Sequence, residues 1–259
     1  MKIGIIGTGN IATHLLQNIN QANAVDGEII ALFGRNEKVG KQLSERYGVE
    51  FYSDFQAFVH TPLDVVVEAA TVEAAEMYMK EVLESKKDMI LSSIGVFKDD
   101  EFLMEMKEIA QTNAQTISLP SGAIGGLDLL QSANSLGGLR EVRITTRKSP
   151  QSLGLEAVKA EELLFDGSAR KAIDRFPKNI NVALLLSIAG IGADQTRVQI
   201  IADPDIEQNT HTIEASGDFG KMTMKIENHP MPGNPKTSYL AALSIIAALK
   251  NRGNALVVG

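Results

Sequence analysis

The chain has 259 residues, which is enough for one large hydrophobic core or two moderate ones. Its composition, 44% hydrophobic and 22% charged, excludes disordered and fibrous architectures, and the net charge of -7 argues against a broad nucleic-acid-binding face. There is no cysteine, so disulfides, thiolate metal ligands and a cysteine nucleophile are excluded. Because no apolar stretch reaches the roughly 18–20 residues of a membrane helix, and the apolar start is too short for a signal peptide, we expect a cytoplasmic protein without membrane association.

Short apolar runs alternate with helix-length segments through the first 120 residues. The predicted strands are 2–6, 28–33, 50–52, 64–70, 88–94 and 115–119. The predicted helices are one that follows the first strand and ends near residue 20, then 37–47, 72–85 and 99–111. This alternation is typical of βαβ units, and it predicts an α/β fold with a doubly wound parallel sheet in the Rossmann order.

The pattern changes after Pro120, where residues 121–126 contain three glycines. Further strands are predicted at 141–146, 198–202, 210–215 and 221–227, with helices at 179–190 and 238–250. These elements predict a second α+β domain with a mixed sheet and a C-terminal helix that returns to the first domain. We therefore expect a dinucleotide-binding domain at 1–120, with 236–259 packed on it, and a substrate, catalytic and dimerisation domain at 121–235.

A glycine motif, Gly7-Thr8-Gly9-Asn10-Ile11-Ala12, follows the first predicted strand. It matches GxGxxG/A, in which the first glycine allows a tight turn, the second a close approach of a pyrophosphate, and the small third residue close packing of helix on strand. The alternative interpretation is a tight strand-to-helix turn without a ligand. Because the motif opens a series of βα units, we predict that residues 7–11 bind a dinucleotide, together with Ala70 at the end of the fourth predicted strand.

The second strand ends in Gly34-Arg35-Asn36, with glycine where NAD-specific sites usually place an acid. Without that carboxylate a 2′-phosphate is not repelled, and Arg35 can pair with it. We therefore predict NADP or NAD as cofactor, with a preference for NADP. In the alternative interpretation Arg35 faces solvent and the site discriminates weakly.

From Pro120 onward the chain resembles the L-aspartate dehydrogenase family. The runs that carry the resemblance are PSGAIGGLD at 120–128, TTRK at 145–148, FDGSAR at 165–170, FPKNINVA at 176–183, ADP at 202–204, NTH at 209–211 and NPKTS at 234–238. The resemblance implies oxidation of L-aspartate to iminoaspartate, a link to NAD biosynthesis, and a homodimer formed with the second domain's sheet. It makes His211 the catalytic histidine and Ala123 and Asn181 cofactor contacts. The departure is Gly34-Arg35-Asn36, because family members that use NAD commonly have an acid before the arginine.

The residues suit this chemistry, because a histidine titrates near neutral pH and can take the proton of the substrate ammonium. His229 is a minor alternative to His211. For the substrate carboxylates our first choice is Lys236, which we expect at the start of the last helix, with Asn234 and Ser121 as further contacts. Arg147, Lys148 and Asn179 are weaker candidates. No ligand spacing indicates a metal site.

Two other functions are compatible with the fingerprint. One is a related oxidoreductase for another small acid or imine, with an activity like that of dihydrodipicolinate reductase. The other is a dinucleotide-binding sensor without turnover. The long resemblance disfavours the first, and the presence of both His211 and Lys236 disfavours the second.

Overall fold

The computed structural model describes residues 1–155, 158–176 and 181–256. The chain divides into two compact units. The first contains Met1–Pro120 and the described residues from Ala242 onward, and the second contains Ser121–Ala241. Among the described helices, none is long and apolar enough to cross a membrane.

A six-stranded parallel sheet forms the centre of the first unit. Its strands are β1 Lys2–Ile6, β2 Glu28–Phe33, β3 Glu50–Tyr52, β4 Val65–Glu68, β5 Asp88–Leu91 and β6 Ile117–Ser118. Their order is β3-β2-β1-β4-β5-β6, which confirms the predicted Rossmann arrangement. The order reverses between β1 and β4, so the carboxyl ends of these strands form the crevice in which ligands of such sheets bind.

Helices pack on this sheet through apolar stripes. They are α1 Asn10–Leu16, which continues into one π-helical turn at Gln17–Gln21, α2 Glu37–Tyr47, α3 Phe55–Val59, α4 Val72–Glu84 and α5 Asp100–Thr112. In α4 the hydroxyl of Thr71 caps the helix by accepting a hydrogen bond from the Ala74 N–H at 3.2 Å. The C-terminal helix α9, Tyr239–Gly253, places Ile245, Ile246 and Leu249 in the same core as β1. The predicted return of this helix to the first domain is therefore confirmed.

The second unit contains a five-stranded mixed sheet. Its strands are β7 Leu139–Lys148, β8 Glu162–Ser168, β9 Arg197–Ala202, β10 Asn209–Gly217 and β11 Gly220–Asn228. They lie in the order β11-β10-β7-β9-β8, with β7 and β9 parallel and the other neighbours antiparallel. The helices of this unit are α6 Leu127–Asn134, α7 Ala169–Arg175 and α8 Asn181–Ala189. This mixed sheet confirms the predicted fold class.

Alternation along β7 gives this sheet one buried and one exposed face. Val142, Ile144 and Thr146 are buried, whereas Glu141 and Arg143, on either side of Val142, are exposed. On β10 the buried positions include His211, which lies opposite Thr146 in the antiparallel pair. Because side chains alternate between faces, the register places this histidine on the buried face.

The helix predicted at 238–250 is found at Tyr239–Gly253, but the expected position of Lys236 at its start is wrong. Asn234–Ser238 forms strand β13 instead, which pairs with β12, Pro230–Met231. Gly233 between them has a φ of 77°, which permits the tight reversal. The helix begins only at Tyr239, whose N–H donates to the His229 carbonyl at 2.9 Å.

Candidate active site

The glycine turn after β1 has the geometry that the motif predicts. Gly7 has a φ of 123°, and a Cβ there would lie 2.5 Å from the Ala69 carbonyl oxygen, so only glycine fits. Gly9 is the N-cap of α1 and no side chain caps the helix in its place. A Cβ built on Gly9 meets no atom within 4 Å, so the space before the helix N-terminus is open for a ligand. Exposed N–H groups in that position favour an anion such as a pyrophosphate.

A cavity of about 270 Å³ lies beside this turn within the first unit. Six of the predicted cofactor residues line it: Gly7, Thr8, Gly34, Arg35, Asn36 and Ala70. The other three from the motif are not part of this lining: Gly9 is the N-cap of α1, and Asn10 and Ile11 are its first residues. The sheet thus brings the ends of β1, β2 and β4 together around one cavity, as expected at the point where the strand order reverses.

The end of β2 has a steric reason for its glycine. A Cβ on Gly34 would lie 2.5 Å from Thr8 Cγ2, so an acid at this position would require Thr8 to move. The side chain of Asn36 caps α2, because its Oδ1 accepts a hydrogen bond from the Val39 N–H at 3.1 Å. Arg35 is exposed at the cavity. The pKa of Glu73 is lowered mainly by hydrogen bonds to its own backbone N–H and to Thr71, and the positive charge of Arg35 lowers it further.

A buried carboxyl group, missed by the sequence analysis, supports the edge of this cavity. Glu68 ends β4 with 0% exposure. Its oxygens accept hydrogen bonds from the Ala70 N–H at 2.8 Å, the Ser93 N–H at 2.9 Å and the Ser93 hydroxyl at 2.9 Å. Burial raises the pKa of Glu68, and these hydrogen bonds act in the opposite direction. The group ties the segments after β4 and β5 to each other.

His211 is a buried titratable group in the sheet of the second unit. The side chain is 3% exposed, and its Nδ1 lies 3.0 Å from Oγ1 of Thr146, which is also buried. Burial, followed by the positive charge of Lys148, lowers the pKa of His211 to about 4. The imidazole is therefore neutral at neutral pH, and only a neutral imidazole can accept a proton.

Lys148 lies two residues beyond Thr146 on β7, hence on the same face of the sheet as His211. Burial lowers the pKa of Lys148. The adjacent Arg147 points to the other face, where its guanidinium pairs with Glu161 and with Asp203 at 3.3 Å. Of the two basic residues that the sequence offered at this strand end, the structure places Lys148 beside the histidine and engages Arg147 in ion pairs.

Asn228, which the sequence analysis also missed, connects two segments with predicted substrate contacts. It ends β11 with 5% exposure. Its Nδ2 donates to the Ala123 carbonyl at 2.9 Å, and its Oδ1 accepts from the Ser238 hydroxyl at 2.6 Å. Ala123 belongs to the glycine-rich loop that also contains Ser121, and Ser238 ends β13. A buried amide with both ends satisfied holds these segments in fixed positions.

The remaining candidates are dispersed. Asn234 donates to the Thr237 hydroxyl at 2.8 Å within β13, and Lys236 occupies the same strand, so the predicted helix N-terminus does not surround it. Asn181 is exposed at the start of α8, whereas Asn179 lies outside the described residues. His229 is exposed, 3.2 Å from Gln208 Nε2. Within 1–155, 158–176 and 181–256 there is no cluster of side chains that could hold a metal ion.

Comparison with known proteins places these features in a family. The model of the family described as "Aspartate dehydrogenase, C-terminal" matches residues 128–252, and the one described as "Homoserine dehydrogenase, NAD binding domain" matches residues 7–120. An L-aspartate dehydrogenase from Methanospirillum hungatei is 38% identical over 260 residues, covering 100% of this chain and 99% of the relative. The chain belongs to the aspartate dehydrogenase family.

Other aspartate dehydrogenases agree over the full length. One from Archaeoglobus fulgidus is 38% identical over 258 residues and covers 100% of both chains. The crystal structure of aspartate dehydrogenase from Thermotoga maritima superimposes with a TM-score of 0.82 at 32% identity, covering 100% of this chain and 99% of that chain. The family resemblance read from the runs after Pro120 is therefore confirmed.

Proposed function

We propose that the chain is an NAD(P)-dependent dehydrogenase that oxidises L-aspartate to iminoaspartate, which hydrolyses to oxaloacetate and ammonia. The observation that carries the proposal is the match to aspartate dehydrogenases through both units, one with a dinucleotide cavity and the other with a buried neutral histidine. The family membership favours this function over another small acid as substrate and over a sensor without turnover.

The dinucleotide contacts are Gly7, Thr8, Gly9, Asn10 and Ile11 at the first turn. A pyrophosphate there is supported by the open space before α1 and by the turn at Gly7, where only glycine fits. Gly34, Arg35, Asn36 and Ala70 contact the adenosine end, supported by the cavity that these residues line. Ala123 and Asn181 are contacts from the second unit, on the strength of the family resemblance alone.

NADP is accepted and preferred, because no carboxylate occupies position 34 and Arg35 is exposed at the cavity. A guanidinium there can pair with a 2′-phosphate through two parallel hydrogen bonds. The steric contact between position 34 and Thr8 is a second reason for glycine, so the preference depends on Arg35 more than on the missing acid.

The chemistry at the substrate requires a neutral amine. The imidazole of His211 takes one proton from the substrate ammonium, which frees the nitrogen lone pair to form the C=N bond. NAD(P)⁺, when bound, supplies the acceptor for the hydride that leaves Cα. The pKa of about 4 keeps His211 unprotonated before this step, and the positive charge of Lys148 contributes to it.

Substrate carboxylates are bound by cationic and polar groups of the second unit. Lys236, Asn234 and Ser121 remain our candidates, now without the helix N-terminus that was expected to assist Lys236. Lys148 is added to them, because it lies on the same face of the sheet as His211 and an ammonium group can bind a carboxylate.

The decisive experiment measures reduced nicotinamide at its absorbance band, with L-aspartate and either NAD⁺ or NADP⁺. D-aspartate, L-glutamate and L-alanine are the substrate controls, and oxaloacetate with ammonia tests the reverse reaction. We expect turnover with L-aspartate alone, and His211→Gln to lower kcat by about 10²–10⁴-fold, the usual contribution of a general base. The matched control is His229→Gln, at an exposed histidine of the same unit. Tight cofactor binding without aspartate turnover in either direction would contradict the proposed substrate.

Three broader assignments belong to the same proposal: a cytoplasmic enzyme, a contribution to NAD biosynthesis, and a homodimer. The homodimer forms through the exposed face of the five-stranded sheet, supported by the row of exposed polar residues there, which includes Arg143, Arg197 and Glu214. Sedimentation should give a dimer for the native chain. Arg143→Glu should shift it toward the monomer, and an unchanged sedimentation coefficient would argue against this face.

A further inference from the structure

His211 is paired across the sheet with one apolar and one polar side chain. In the β10–β11 pair it lies opposite Ile226, and in the β10–β7 pair it lies opposite Thr146. Thr146 in turn lies opposite Ile200 on β9. Among these cross-strand neighbours, the hydroxyl of Thr146 is the polar group, and its Oγ1 is 3.0 Å from His211 Nδ1. Both residues are buried, Thr146 with 5% and His211 with 3% exposure, so water competes little for this contact.

The contact leaves the other ring nitrogen for chemistry. Among the residues that the structure describes, no hydrogen-bonding partner of His211 Nε2 is found. A neutral imidazole carries one hydrogen, so that one nitrogen donates and the other accepts. A threonine hydroxyl can do either, which means that the distance alone is compatible with both tautomers. The direction of the hydrogen bond between Nδ1 and Thr146 follows from the role of Nε2 in the reaction.

We infer that Thr146 is a positioning residue that holds His211 in the tautomer with hydrogen on Nδ1, so that Nε2 is the nitrogen that accepts the substrate's proton. The inference rests on the proposed function, because only a proton acceptor needs a lone pair on Nε2. In this tautomer Nδ1–H donates to Thr146 Oγ1 both before and after Nε2 takes a proton. The hydrogen bond therefore survives the transfer without rearrangement, whereas the opposite tautomer would present an N–H to the substrate ammonium.

A hydroxyl partner differs from the carboxylate that often orients a catalytic histidine. A carboxylate would favour the protonated ring by its charge, but Thr146 fixes the hydrogen position without adding charge. This agrees with the two effects that lower the pKa of the ring, burial first and the positive charge of Lys148 second, because both favour the neutral form. Thr146 thus orients the ring, while burial and, to a smaller extent, Lys148 on the same strand keep it unprotonated.

The test is ¹⁵N NMR of the full chain labelled at the histidine imidazoles, with resonances assigned from His211→Gln. The native protein should show His211 with hydrogen on Nδ1 and an unprotonated Nε2 at neutral pH. Thr146→Ser keeps the hydroxyl and should preserve that signature. Thr146→Val removes it at nearly constant volume and should shift the ring to a mixture of tautomers. The matched control is Thr145→Val, which removes a hydroxyl on the opposite face that bonds Gln199 at 3.1 Å.

Kinetics of the same variants complete the test. Thr146→Val should lower kcat for L-aspartate about tenfold, the size expected from one hydrogen bond, with KM little changed. Thr146→Ser should restore most of kcat, and Thr145→Val should behave as the native chain. A native spectrum with hydrogen on Nε2, or the native signature retained in Thr146→Val, would overturn the inference while leaving the proposed function intact. The predicted spectra without aspartate turnover would support the tautomer and remove the proposed substrate, and a poorly folded Thr146→Val would leave the native spectrum to decide.

Discussion

The burial of His211 should make the second unit sensitive to acid in a way that one substitution removes. An unfolded chain protonates this ring near pH 6.5, whereas the folded chain does so only near pH 4. The pKa is lowered on folding, so the contribution of the neutral ring to stability is fully present above pH 6.5. It is lost as the pH falls from 6.5 toward 4, because the unfolded state takes up the proton first.

The magnitude follows from the two pKa values. Each pH unit between them corresponds to about 1.36 kcal/mol, so the limiting loss at low pH is about 3.4 kcal/mol. Between pH 7.5 and pH 4.5 the linkage relation gives about 2.5 kcal/mol, a large fraction of the 5–15 kcal/mol that typically stabilises a domain. His211→Gln has no titrating group at this position and should lack this part of the acid sensitivity.

The assay is urea unfolding followed by circular dichroism at both pH values, for the native chain, His211→Gln and His229→Gln. Carboxylates titrate in all three proteins, so their effect on the free energy of unfolding largely cancels when the pH-dependent losses are compared. The native chain and the His229 control should lose about 2.5 kcal/mol more than His211→Gln. Equal losses in all three, within about 0.5 kcal/mol, would show that His211 is not held neutral by burial.

Three further variants test the other groups. Arg35→Ala should weaken NADPH binding about 10–100-fold, the value of a charge-assisted hydrogen bond, while NADH changes little in a fluorescence titration; equal weakening would show that Arg35 does not contact the 2′-phosphate. Lys148→Met should raise the pKa of His211 above about 4 but below 6.5, since burial remains, and an unchanged NMR titration would exclude the charge effect. Asn228→Asp should place an acceptor against the Ala123 carbonyl and destabilise the chain by about 1–3 kcal/mol, more than Ser238→Ala does. An unaltered melting temperature would show that the two hydrogen bonds of Asn228 do not stabilise the fold.

The first unit was predictable because its signals are local. The strand Lys2–Ile6, the glycine turn and the amphipathic helix that ends at Tyr47 each follow from a few adjacent residues, and the parallel order follows from right-handed crossovers. Edge strand β8 was missed because its side chains are mostly half-buried or exposed, which leaves little hydrophobic alternation to detect.

The environment of His211 was not predictable, since Thr146 is 65 positions away and becomes its neighbour only through the register of β7 and β10. Alternation indicates which residues share a face, but not which strand lies beside which. Asn234 and Pro235 were misread for a different reason. A polar residue followed by proline is equally typical of a helix start, and the decision for a strand comes from pairing with Pro230 and Met231.

The site's dependence on strand register has a consequence for insertions and deletions. The loop that joins β10 to β11 contacts β7 through Asp218, whose N–H donates to the Gly138 carbonyl at 2.9 Å and whose carboxylate accepts from Arg140 Nε at 3.0 Å. A change of its length would therefore disturb the end of the β10–β7 pair that lies far from His211. Deleting one residue within β10 between the histidine and that loop would instead rotate the ring to the side where Thr212 and Glu214 now point. Changes at this hairpin tip therefore cost local contacts, whereas a change in the number of residues along β10 alters the site itself.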